Sequence, residues 1–473
     1  MKIKRFLAAA LVVIMAVAAS AAEPKYIFYY IGDGMGMGPV VAAEMYNRQV
    51  RQSETPLTMF RFPVAGMCLT YSASSPVTDS AAAGTALSTG HKTNNGMLGM
   101  TPDTVAVASM ARVLKDDGYG VGIVTTVAAD DATPGAFFAN VPKRGMYRDI
   151  ILQGARSGYE FIAGAGLRAE LDKKGKPTGL IEEIESEGVK VVRGRDGIRE
   201  IGDARRVMLI GEPGSNPGNV SFTIDSVEGA LTLPVITEAC MAHLERVSPD
   251  RFFMMVEGGN IDHSLHANDA ATTIKEILNF DQALALAFDF YRAHPDETLI
   301  VVTADHDTGG FAIGNNYKGY FANFANIDCQ RVSKEEFENY CRGILRSRRS
   351  YTWDDMKEYL SENLGFYTAI PIDEKQDAIL REKFNNTFEL RNSDDQKTLY
   401  KTFNAFAAEV FRTMADVSGF GFTSVHHTGN PVPVFAVGVG AERFMNLNNN
   451  IEIPVKILDI AGKKLPDAKL ISH

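Results

Sequence analysis

Cysteine and tryptophan are scarce in this chain, and long hydrophobic runs are absent beyond its N-terminus. The 473 residues include four cysteines and one tryptophan. Four cysteines are too few for a disulfide framework in a chain of this size, and the absence of a Cys-x-x-Cys pair argues against thiolate zinc sites and thioredoxin-type redox chemistry. Cys329 and Cys341 are close enough in sequence either to pair or to stay free. Cys68 and Cys240 lie in apolar or helical stretches, where we expect them to be buried as small hydrophobic residues.

Basic residues are also fewer than acidic residues. Lys and Arg together number 48 and Asp and Glu 58, which gives a formal net charge of −10. No block of consecutive Lys and Arg occurs after the N-terminus, so the composition argues against a protein that binds the nucleic-acid backbone. We expect no nucleic-acid partner, and any bound anion requires a local source of positive charge.

The N-terminus holds the longest apolar stretch and predicts a signal peptide over residues 1–21. Three basic residues precede an apolar run over residues 6–17, and Ala19-Ser20-Ala21 places small residues at the cleavage site. A membrane anchor is the alternative, but the run is shorter than the ~20 residues that a membrane span requires. We therefore expect cleavage, no membrane anchor, and a protein that is periplasmic or secreted.

Short β-branched and aromatic runs alternate with longer helical patterns in most of the remaining chain. Near-continuous apolarity favours strands covered on both faces, and alternation with helices favours βαβ units. The predicted strands lie at about 26–31, 120–126, 207–210, 252–256, 298–303 and 433–439, and predicted helices include 105–116, 234–246 and 270–293. The sequence thus predicts an α/β fold: a three-layer α/β/α sandwich with a mostly parallel central sheet, formed by residues 22–473 as a single domain.

Residues from about 316 to 420 depart from this alternation. They are rich in charge and in helix formers, they contain the single tryptophan, Trp353, and no strong strand pattern occurs among them. We interpret the segment as a helical insertion between two strands of the central sheet. Its role is not readable from the sequence.

Acidic residues and histidines follow the predicted strands, at the ends where open parallel sheets bind ligands. Any one of them alone is typical of a solvated loop. If the strand ends meet, however, the carboxylates converge, and two like charges ~4 Å apart repel by about 4 kcal/mol at an effective dielectric constant near 20. Imidazole together with carboxylate is a ligand set for transition metals, so the pattern predicts bound metal ions. The residues are Asp33, Asp131, Glu257, Asp262, Asp305, His266, His306 and His427.

Spacing supports this interpretation. Asp262 and His266 are four residues apart, which places both side chains on one face if the segment is helical. Two further histidines, His263 and His426, neighbour candidate ligands. Each either donates a hydrogen bond to a ligand or has no part in the site.

Ser80 is the candidate nucleophile, because it stands before a run of alanines that favours a helix. Pro76 and Thr78 are helix-start signals, and they place Ser80 in the first turn, where free N–H groups and the helix dipole favour anions. A capping serine without chemistry is the alternative when this segment is taken alone. A bound metal ion lowers the pKa of a serine hydroxyl directly, so no histidine base is required.

Taken in order from Ile31 to about Val439, these motifs resemble those of the alkaline phosphatase family, metal-dependent phosphomonoesterases of the α/β/α sandwich type. The resemblance implies that Ser80, in Thr78-Asp79-Ser80-Ala81, is the nucleophile and is transiently phosphorylated. It implies cofactors of two Zn²⁺ and one Mg²⁺. By resemblance, one zinc is assigned to Asp33, Asp305 and His306, the other to Asp262, His266 and His427, and the magnesium to Asp33, Asp131, Thr133 and Glu257.

The same resemblance implies that Arg144 binds the phosphate, although from the sequence alone Arg144 is typical of a solvated helix residue. His263 stands where family members carry either lysine or histidine, which makes it a candidate substrate-binding residue. A histidine there titrates near neutrality and is expected to steepen the pH dependence. The combination of Asp131 with His263 leaves the metal of the third site open.

The expected activity is hydrolysis of phosphate monoesters through a phosphoserine intermediate. We expect little selectivity for the leaving group, because none of the assigned residues contacts it. A phosphodiesterase or sulfatase of the same architecture is one alternative, although the Cys-x-Pro-x-Arg motif of sulfatases is absent. A non-catalytic exported binder of phosphate or metal is the other. Family members are often homodimers, but the sequence shows no clear interface pattern.

Overall fold

The structure is a computed structural model that describes residues 23–347, 350–392 and 394–466. The predicted signal peptide, residues 1–21, lies outside the described residues. The strands are β1 Tyr26–Gly32, β2 Val64–Leu69, β3 Gly120–Thr125, β4 Phe161–Ala163, β5 Lys190–Arg193, β6 Val207–Ile210, β7 Phe252–Glu257, β8 Thr298–Ala304, β9 Asp307–Thr308, β10 Ala312–Ile313, β11 Gln396–Lys397, β12 Thr402–Phe403, β13 Phe420–Gly421, β14 His427–Thr428, β15 Val432–Gly438 and β16 Asn446–Asn449.

Helices connect most of the long strands. They are α1 Met37–Gln49, α2 Ser80–Thr89, α3 Met110–Asp116, α4 Ala132–Gly135, α5 Tyr147–Arg156, α6 Leu180–Ser186, α7 Leu233–Val247, α8 Asn260–His266, α9 Ala270–Ala293, α10 Lys334–Arg346, α11 Trp353–Leu364, α12 Glu374–Phe384, α13 Ala405–Ser418 and α14 Glu452–Ile460. Shorter 3₁₀ and π turns lie at Thr58–Arg61, Asp196–Glu200, Phe324–Cys329, Asn385–Glu389 and Ala441–Phe444.

One large sheet forms the centre of the molecule, with the strand order β16-β2-β15-β8-β1-β7-β3-β4-β6-β5 in the described part of the chain. The neighbours from β8 to β5 are all parallel, whereas β15 runs antiparallel to both β8 and β2. Every residue of β3, β7 and β8 is buried, so both faces of the sheet are covered there. The prediction of an α/β/α sandwich with a mostly parallel sheet is confirmed.

The helices around the sheet pack in two groups. Helix α9 contacts α1, α7 and α8, while α2 contacts α3, α4 and α14. Strands and helices share one hydrophobic core, in which Phe28, Phe252 and Phe253 are fully buried. The layers hold the strand ends in fixed positions, and these ends carry the candidate site.

The strands and helices named from local sequence pattern all correspond to elements of the fold, with one clear error at a boundary. The predicted helix over 105–116 begins only at Met110, because Ser109 caps it by accepting a hydrogen bond from the Arg112 N–H at 3.2 Å. The residues before it form a turn, in which the Val105 N–H donates to Thr101 Oγ1 at 3.2 Å. The helices predicted at 234–246 and 270–293 correspond to α7 and α9.

The segment predicted as a helical insertion contains helices α10 to α13. It has its own hydrophobic cluster, formed around Phe337, Leu360, Phe384 and Phe406, which are all fully buried. It also contains the short antiparallel hairpin β11–β12, which the sequence pattern did not predict. The segment therefore carries enough apolar side chains to pack on its own, beside the core of the main sheet.

The four cysteines are free. Cys68 and Cys240 are fully buried, as expected. The Cys329–Cys341 pair, which the sequence left open, is not formed. Cys341 lies inside the hydrophobic cluster of the insertion, whereas Cys329 is only partly buried and packs at the margin of that cluster.

None of the helices in the described ranges combines the length and the apolar character needed to cross a membrane.

Candidate functional site

Residues from distant parts of the chain meet at one edge of the central sheet. The parallel strands β1, β7 and β8 end at this edge, and the antiparallel strand β15 begins there. Asp33 follows β1, Glu257 ends β7, Asp305 follows β8, and His427 precedes β15. The convergence on which the metal prediction depended is therefore a feature of the fold.

The turn after β1 presents Asp33 to its neighbours. Gly34 has φ of 69°, in the left-handed region that favours glycine. A β-carbon at this position would lie 2.8 Å from Asp262 Oδ1 and 2.8 Å from Thr308 Oγ1. The Gly34 N–H donates to Asp305 Oδ1 at 3.0 Å. Any larger residue here would push these side chains apart.

Asp33, Asp305 and His306 form a first candidate ligand group. One ligand atom from each lies within 4.8 Å of the others. His306 Nε2 is 3.3 Å from Asp33 Oδ1 and 3.2 Å from Asp305 Oδ2. These are the three residues that the resemblance assigns to one zinc ion.

Asp262, His266 and His427 form a second group next to the first. His266 Nε2 lies 3.3 Å from Asp262 Oδ2 and 3.1 Å from His427 Nε2. The rings of His306 and His427 stack with centroids 3.6 Å apart. One ligand atom each of Asp262, His306 and His427 lies within 4.8 Å of the others, so His306 takes part in both groups. The two groups are therefore in direct contact.

Backbone carbonyls orient two of these imidazoles. His266 Nδ1 lies 2.6 Å from the Val425 carbonyl oxygen, and His427 Nδ1 lies 2.8 Å from the Thr78 carbonyl oxygen. A proton on each Nδ1 is donated to that carbonyl, which leaves Nε2 of both rings free to bind a metal ion. Asp262 and His266 share one face of α8, as their spacing predicted.

Glu257 and Thr133 carry buried oxygen atoms that the resemblance assigns to the magnesium ion. The Thr125 hydroxyl donates to one oxygen of Glu257, while the other oxygen, Oε1, has no hydrogen-bond partner. The buried Thr133 hydroxyl is also without a partner. Oxygen-only ligands of this kind suit a hard cation such as Mg²⁺.

Asp131, the remaining residue assigned to magnesium, binds two arginines. Arg168 Nη2 lies 2.5 Å from Asp131 Oδ2, and Arg144 Nη2 lies 3.2 Å from Asp131 Oδ1. Burial alone would raise the pKa of Asp131, but the two guanidinium groups outweigh it and lower the pKa. Asp131 is therefore held as a carboxylate.

Several other carboxyl groups lack such partners. Burial, together with the charges of the neighbouring carboxylates, raises the pKa of Asp33 well above its usual value. Burial is also the main reason that the pKa of Asp305 rises to about 7 and that of Glu257 to about 8. Buried oxygens without a hydrogen-bond partner occur on Asp33, Asp262, Asp305 and Glu257.

Such oxygens are costly unless a cation binds them, because buried charges require a counterion. The donor set and its unpartnered oxygens therefore fit divalent metal ions. Asp262 behaves differently from the other carboxyl groups, since the nearby imidazoles of His266 and His427 outweigh burial and lower its pKa.

Ser80 is the first residue of α2 and points into this cluster. Its Oγ lies 3.2 Å from His306 Nε2, and the residue is 1% exposed. The N-cap of α2 is Asp79, which accepts a hydrogen bond from the Ala82 N–H at 3.0 Å. Capping is thus performed by Asp79, and the Ser80 hydroxyl remains available for chemistry.

Arg144 lies in the turn before α5 and not on a solvated helix. Its Nη1 is 3.4 Å from Asp79 Oδ2, and the side chain is 23% exposed. Burial opposes the charge of Arg144, but the carboxylates of Asp131 and Asp79 outweigh that effect and raise its pKa. The structure thus places a fixed positive charge beside Ser80 and the carboxylates.

His263 and His426, the two histidines next to candidate ligands, differ in burial. His263 is buried, and its ring lies 3.8 Å from the ring of Tyr400 between centroids. Burial lowers its pKa below the ordinary value, so the expected titration of His263 near neutrality moves to lower pH. His426 is exposed, and the contacts found for it involve only its backbone.

Two site residues were missed in the sequence. Arg168 follows β4, so the strand-end rule applies to it, but β4 has only three residues and no recognisable pattern. Tyr400 lies in the insertion, where no local signal points to the site. Arg168 binds Asp131, and the Tyr400 ring packs on His263 and His266.

Comparisons with known proteins point to one family. The family model for alkaline phosphatase matches residues 24–164 and 149–463. Alkaline phosphatase 4 of Bacillus subtilis (strain 168) is 28% identical over 452 residues, which cover 91% of this chain and 87% of that protein. The repressible alkaline phosphatase of Saccharomyces cerevisiae is 30% identical over 320 residues, or 61% of this chain and 56% of that protein.

Solved structures agree with the sequence comparisons. The cold-active alkaline phosphatase of a psychrophilic Shewanella sp. superposes with a TM-score of 0.77 at 25% identity, covering 92% of this chain and 99% of that one. The alkaline phosphatase of Thermus thermophilus also gives a TM-score of 0.77, at 26% identity, covering 94% of this chain and 93% of that one.

Proposed function

The chain belongs to the alkaline phosphatase family and is an enzyme that hydrolyses phosphate monoesters, and from this premise we propose that Ser80 is its nucleophile. The reaction passes through a phosphoserine intermediate, at a site that holds two zinc ions and one magnesium ion. The observation that carries the proposal is the position of the Ser80 hydroxyl, 3.2 Å from His306 Nε2 at the start of α2, among carboxylates with unpartnered oxygens.

The ligand sets follow the chemistry of the donors. Asp33, Asp305 and His306 would hold one zinc ion, because imidazole with carboxylate suits that metal. The other zinc ion is assigned to Asp262, His266 and His427, and the magnesium ion is assigned to Asp33, Asp131, Thr133 and Glu257. When bound, the ions supply Lewis acidity, which favours ionisation of the serine hydroxyl and offsets negative charge on the leaving oxygen.

The protein's own groups position the phosphate. The N-terminal turn of α2 offers free N–H groups and the positive end of the helix dipole beside Ser80. Arg144 provides a planar guanidinium that can contact two phosphate oxygens, and Asp79 and Asp131 fix its orientation. His263 is a further candidate for substrate binding, as a neutral side chain.

The decisive experiment couples metal analysis to an assay with nitrophenyl phosphate. We expect two zinc ions for each magnesium ion, and many turnovers per protein. Ser80→Ala should reduce turnover by ~10³-fold or more while the metal content stays unchanged, because the nucleophile is lost and the ligands are kept. Ser74→Ala, at an exposed serine, is the matched control.

A Ser80→Ala enzyme that keeps near wild-type turnover would reject the nucleophile. Faster hydrolysis of a nitrophenyl diester than of the monoester would favour the phosphodiesterase alternative over the proposed substrate class. Trapping phosphate on the wild-type protein at low pH, followed by peptide mass analysis, should place the phosphoryl group on Ser80.

We propose that the protein is exported, on the basis of the N-terminal sequence. Expression of the full chain in a bacterium should yield mature protein in the periplasm or medium that begins after residue 21.

A homodimer stays a prediction, which the elution volume of the mature protein with light scattering would test.

A further inference from the structure

A hairpin of the insertion reaches the candidate site. Strands β11 and β12 pair with Gln396 opposite Phe403 and Lys397 opposite Thr402. Between them, the Thr398 hydroxyl donates to the Lys401 carbonyl oxygen at 2.8 Å, and the Thr398 N–H donates to the same oxygen at 2.9 Å. This tight turn carries Tyr400.

The ring of Tyr400 packs on the histidines of α8. Its centroid lies 3.8 Å from that of His263, with 33° between the planes, and 5.2 Å from that of His266, with 82° between the planes. His266 is a candidate zinc ligand, so the tyrosine ring forms part of the wall of the site. Tyr400 is the insertion's contribution to that wall.

The hairpin is held by both the insertion and α8. The Lys334 ammonium donates to the Gln396 side-chain oxygen and to the Ala267 carbonyl oxygen, each at 2.8 Å. Ala267 directly follows His266. Lys401 forms an ion pair with Glu335 at 2.9 Å.

A further hydrogen bond runs from Arg342 Nη2 to the Thr402 carbonyl oxygen at 2.9 Å. Tyr400 is therefore fixed over the site by contacts on both sides of its turn, and its position does not depend on the ring contacts alone.

The phenol of Tyr400 is a neutral donor that lacks a partner. Burial raises its pKa well above the usual value, and the carboxylates of Asp262 and Asp33 raise it further. Arg144 acts in the opposite direction. No hydrogen bond of the Tyr400 hydroxyl occurs among the residues that the structure describes, so the group is free to bind a ligand beside Arg144.

We propose that Tyr400 is a substrate-binding residue that the insertion adds to the site, and that it favours monoesters over diesters. The inference rests on the proposed function. The Tyr400 hydroxyl donates a hydrogen bond to a non-bridging oxygen of the phosphoryl group, next to Arg144. Its ring, packed on His263, occupies the space that the second ester substituent of a diester would need.

The test compares the metal-loaded mature wild-type enzyme with three variants. Tyr400→Phe removes only the hydroxyl, Tyr400→Leu also removes the ring, and Tyr320→Phe is the control at a fully exposed tyrosine of the same insertion. Binding of inorganic phosphate is measured by calorimetry, and kcat/KM is measured for nitrophenyl phosphate and for the matching methyl nitrophenyl diester. Zinc and magnesium contents are determined for every form.

We expect Tyr400→Phe to weaken phosphate binding by about 10- to 100-fold, the effect of losing a hydrogen bond to a charged partner. Its metal content should stay at the wild-type value. Tyr400→Leu should in addition raise the ratio of diester to monoester kcat/KM at least fivefold. Tyr320→Phe should match the wild type in every measurement.

Unchanged phosphate affinity in Tyr400→Phe overturns the hydroxyl contact, and an unchanged ratio in Tyr400→Leu overturns the selectivity. Loss of metal from Tyr400→Phe also counts against the proposal, since it would make the role structural. A wild-type enzyme that binds phosphate but does not turn over the monoester would reject the proposed function instead. The phosphate titration of the Tyr400 variants separates the two failures.

Discussion

Arg144, together with Arg168, brings positive charge to a site built mainly from carboxylates and imidazoles. Its guanidinium is oriented by Asp79 and Asp131, and its backbone N–H donates to the Gly96 carbonyl oxygen at 2.8 Å. A planar fork held from two sides is well suited to bind two oxygens of one phosphate. Arg144 therefore adds affinity for phosphate with little need for rearrangement.

We predict that Arg144→Ala raises both the KM for nitrophenyl phosphate and the inhibition constant of phosphate by about 10- to 100-fold, because charge-assisted hydrogen bonds are lost. Arg144→Lys should recover only part of the affinity, since an ammonium group cannot form the bidentate contact. Steady-state kinetics with phosphate as inhibitor provide the measurement. Arg148→Ala, at a surface ion pair with Glu183, is the control. Equal inhibition constants for Arg144→Ala and the control would remove Arg144 from the phosphate site.

Single residues were predictable where a strand end marked them. Asp33 and Asp305 directly follow apolar strands, and Asp262 with His266 had helical spacing. Arg168 was not predicted, because β4, the strand before it, is very short. The residues around Tyr400 show no sequence pattern that links them to the site. Contacts of this kind depend on how distant segments pack, and one sequence holds no information on that packing.

The elements were predicted best where one face or both faces are apolar. Helix α9 has the predicted bounds, 270–293, and its buried residues recur from Ala270 to Ala287. Helix α3 was predicted too long, since the cap at Ser109 competes with the preceding apolar residues. The hairpin β11–β12 was missed because two-residue strands have no measurable alternation.

Helix α10 carries a buried charge that connects it to the site. Lys334, its first residue, is 1% exposed, and burial lowers its pKa from the ordinary value of 10.5 to about 7. An unfolded chain keeps this proton up to about pH 10.5, so between pH 7 and 10.5 the unfolded state binds more protons than the folded state. The contribution of Lys334 to stability therefore rises with pH across this window.

We predict that the wild type gains stability relative to Lys334→Met as the pH is raised from 7 to 10. The hydrogen bonds of Lys334 to Ala267 and Gln396 are lost in the variant at every pH. The informative quantity is therefore the slope of the difference in unfolding free energy, wild type minus variant, against pH. Guanidinium unfolding of the metal-loaded enzymes at several pH values supplies it. Lys318→Met, at an exposed lysine, should show no such divergence. Parallel curves for wild type and Lys334→Met would show that Lys334 keeps its proton in the fold.

At the scale of the whole molecule, the fold creates the site by bringing acids together. The layered arrangement could be predicted because alternation of apolar strands and helices recurs along the main chain. The order of the strands in the sheet could not, because register and neighbours depend on long-range pairing. The convergence of Asp33, Glu257 and Asp305 needed only that their strands be parallel, which is why the site was more predictable than the strand order.

This convergence links metal binding to the stability of the entire fold. Buried oxygens of Asp33, Asp262, Asp305 and Glu257 lack hydrogen-bond partners, so cations are required to offset their charge. In the metal-free protein, the raised pKa values, about 7 for Asp305 and about 8 for Glu257, mean that stability falls as the pH rises through these values. The loss of folding stability on removing the ions therefore reaches its full size only above pH 8.

We predict that chelation at pH 8.5 lowers the thermal midpoint by about 5 °C or more and abolishes phosphatase activity, because ligands that bind only the folded state stabilise it. Added zinc should reverse more of the decrease in thermal midpoint than added magnesium, because two of the three ligand groups contain histidine, which suits zinc. Scanning calorimetry with and without chelator measures the difference. In Asp305→Asn one buried charge is absent, so the gap between metal-loaded and metal-free protein should narrow. Equal midpoints for the wild type before and after chelation would contradict the view that cations offset the clustered carboxylates.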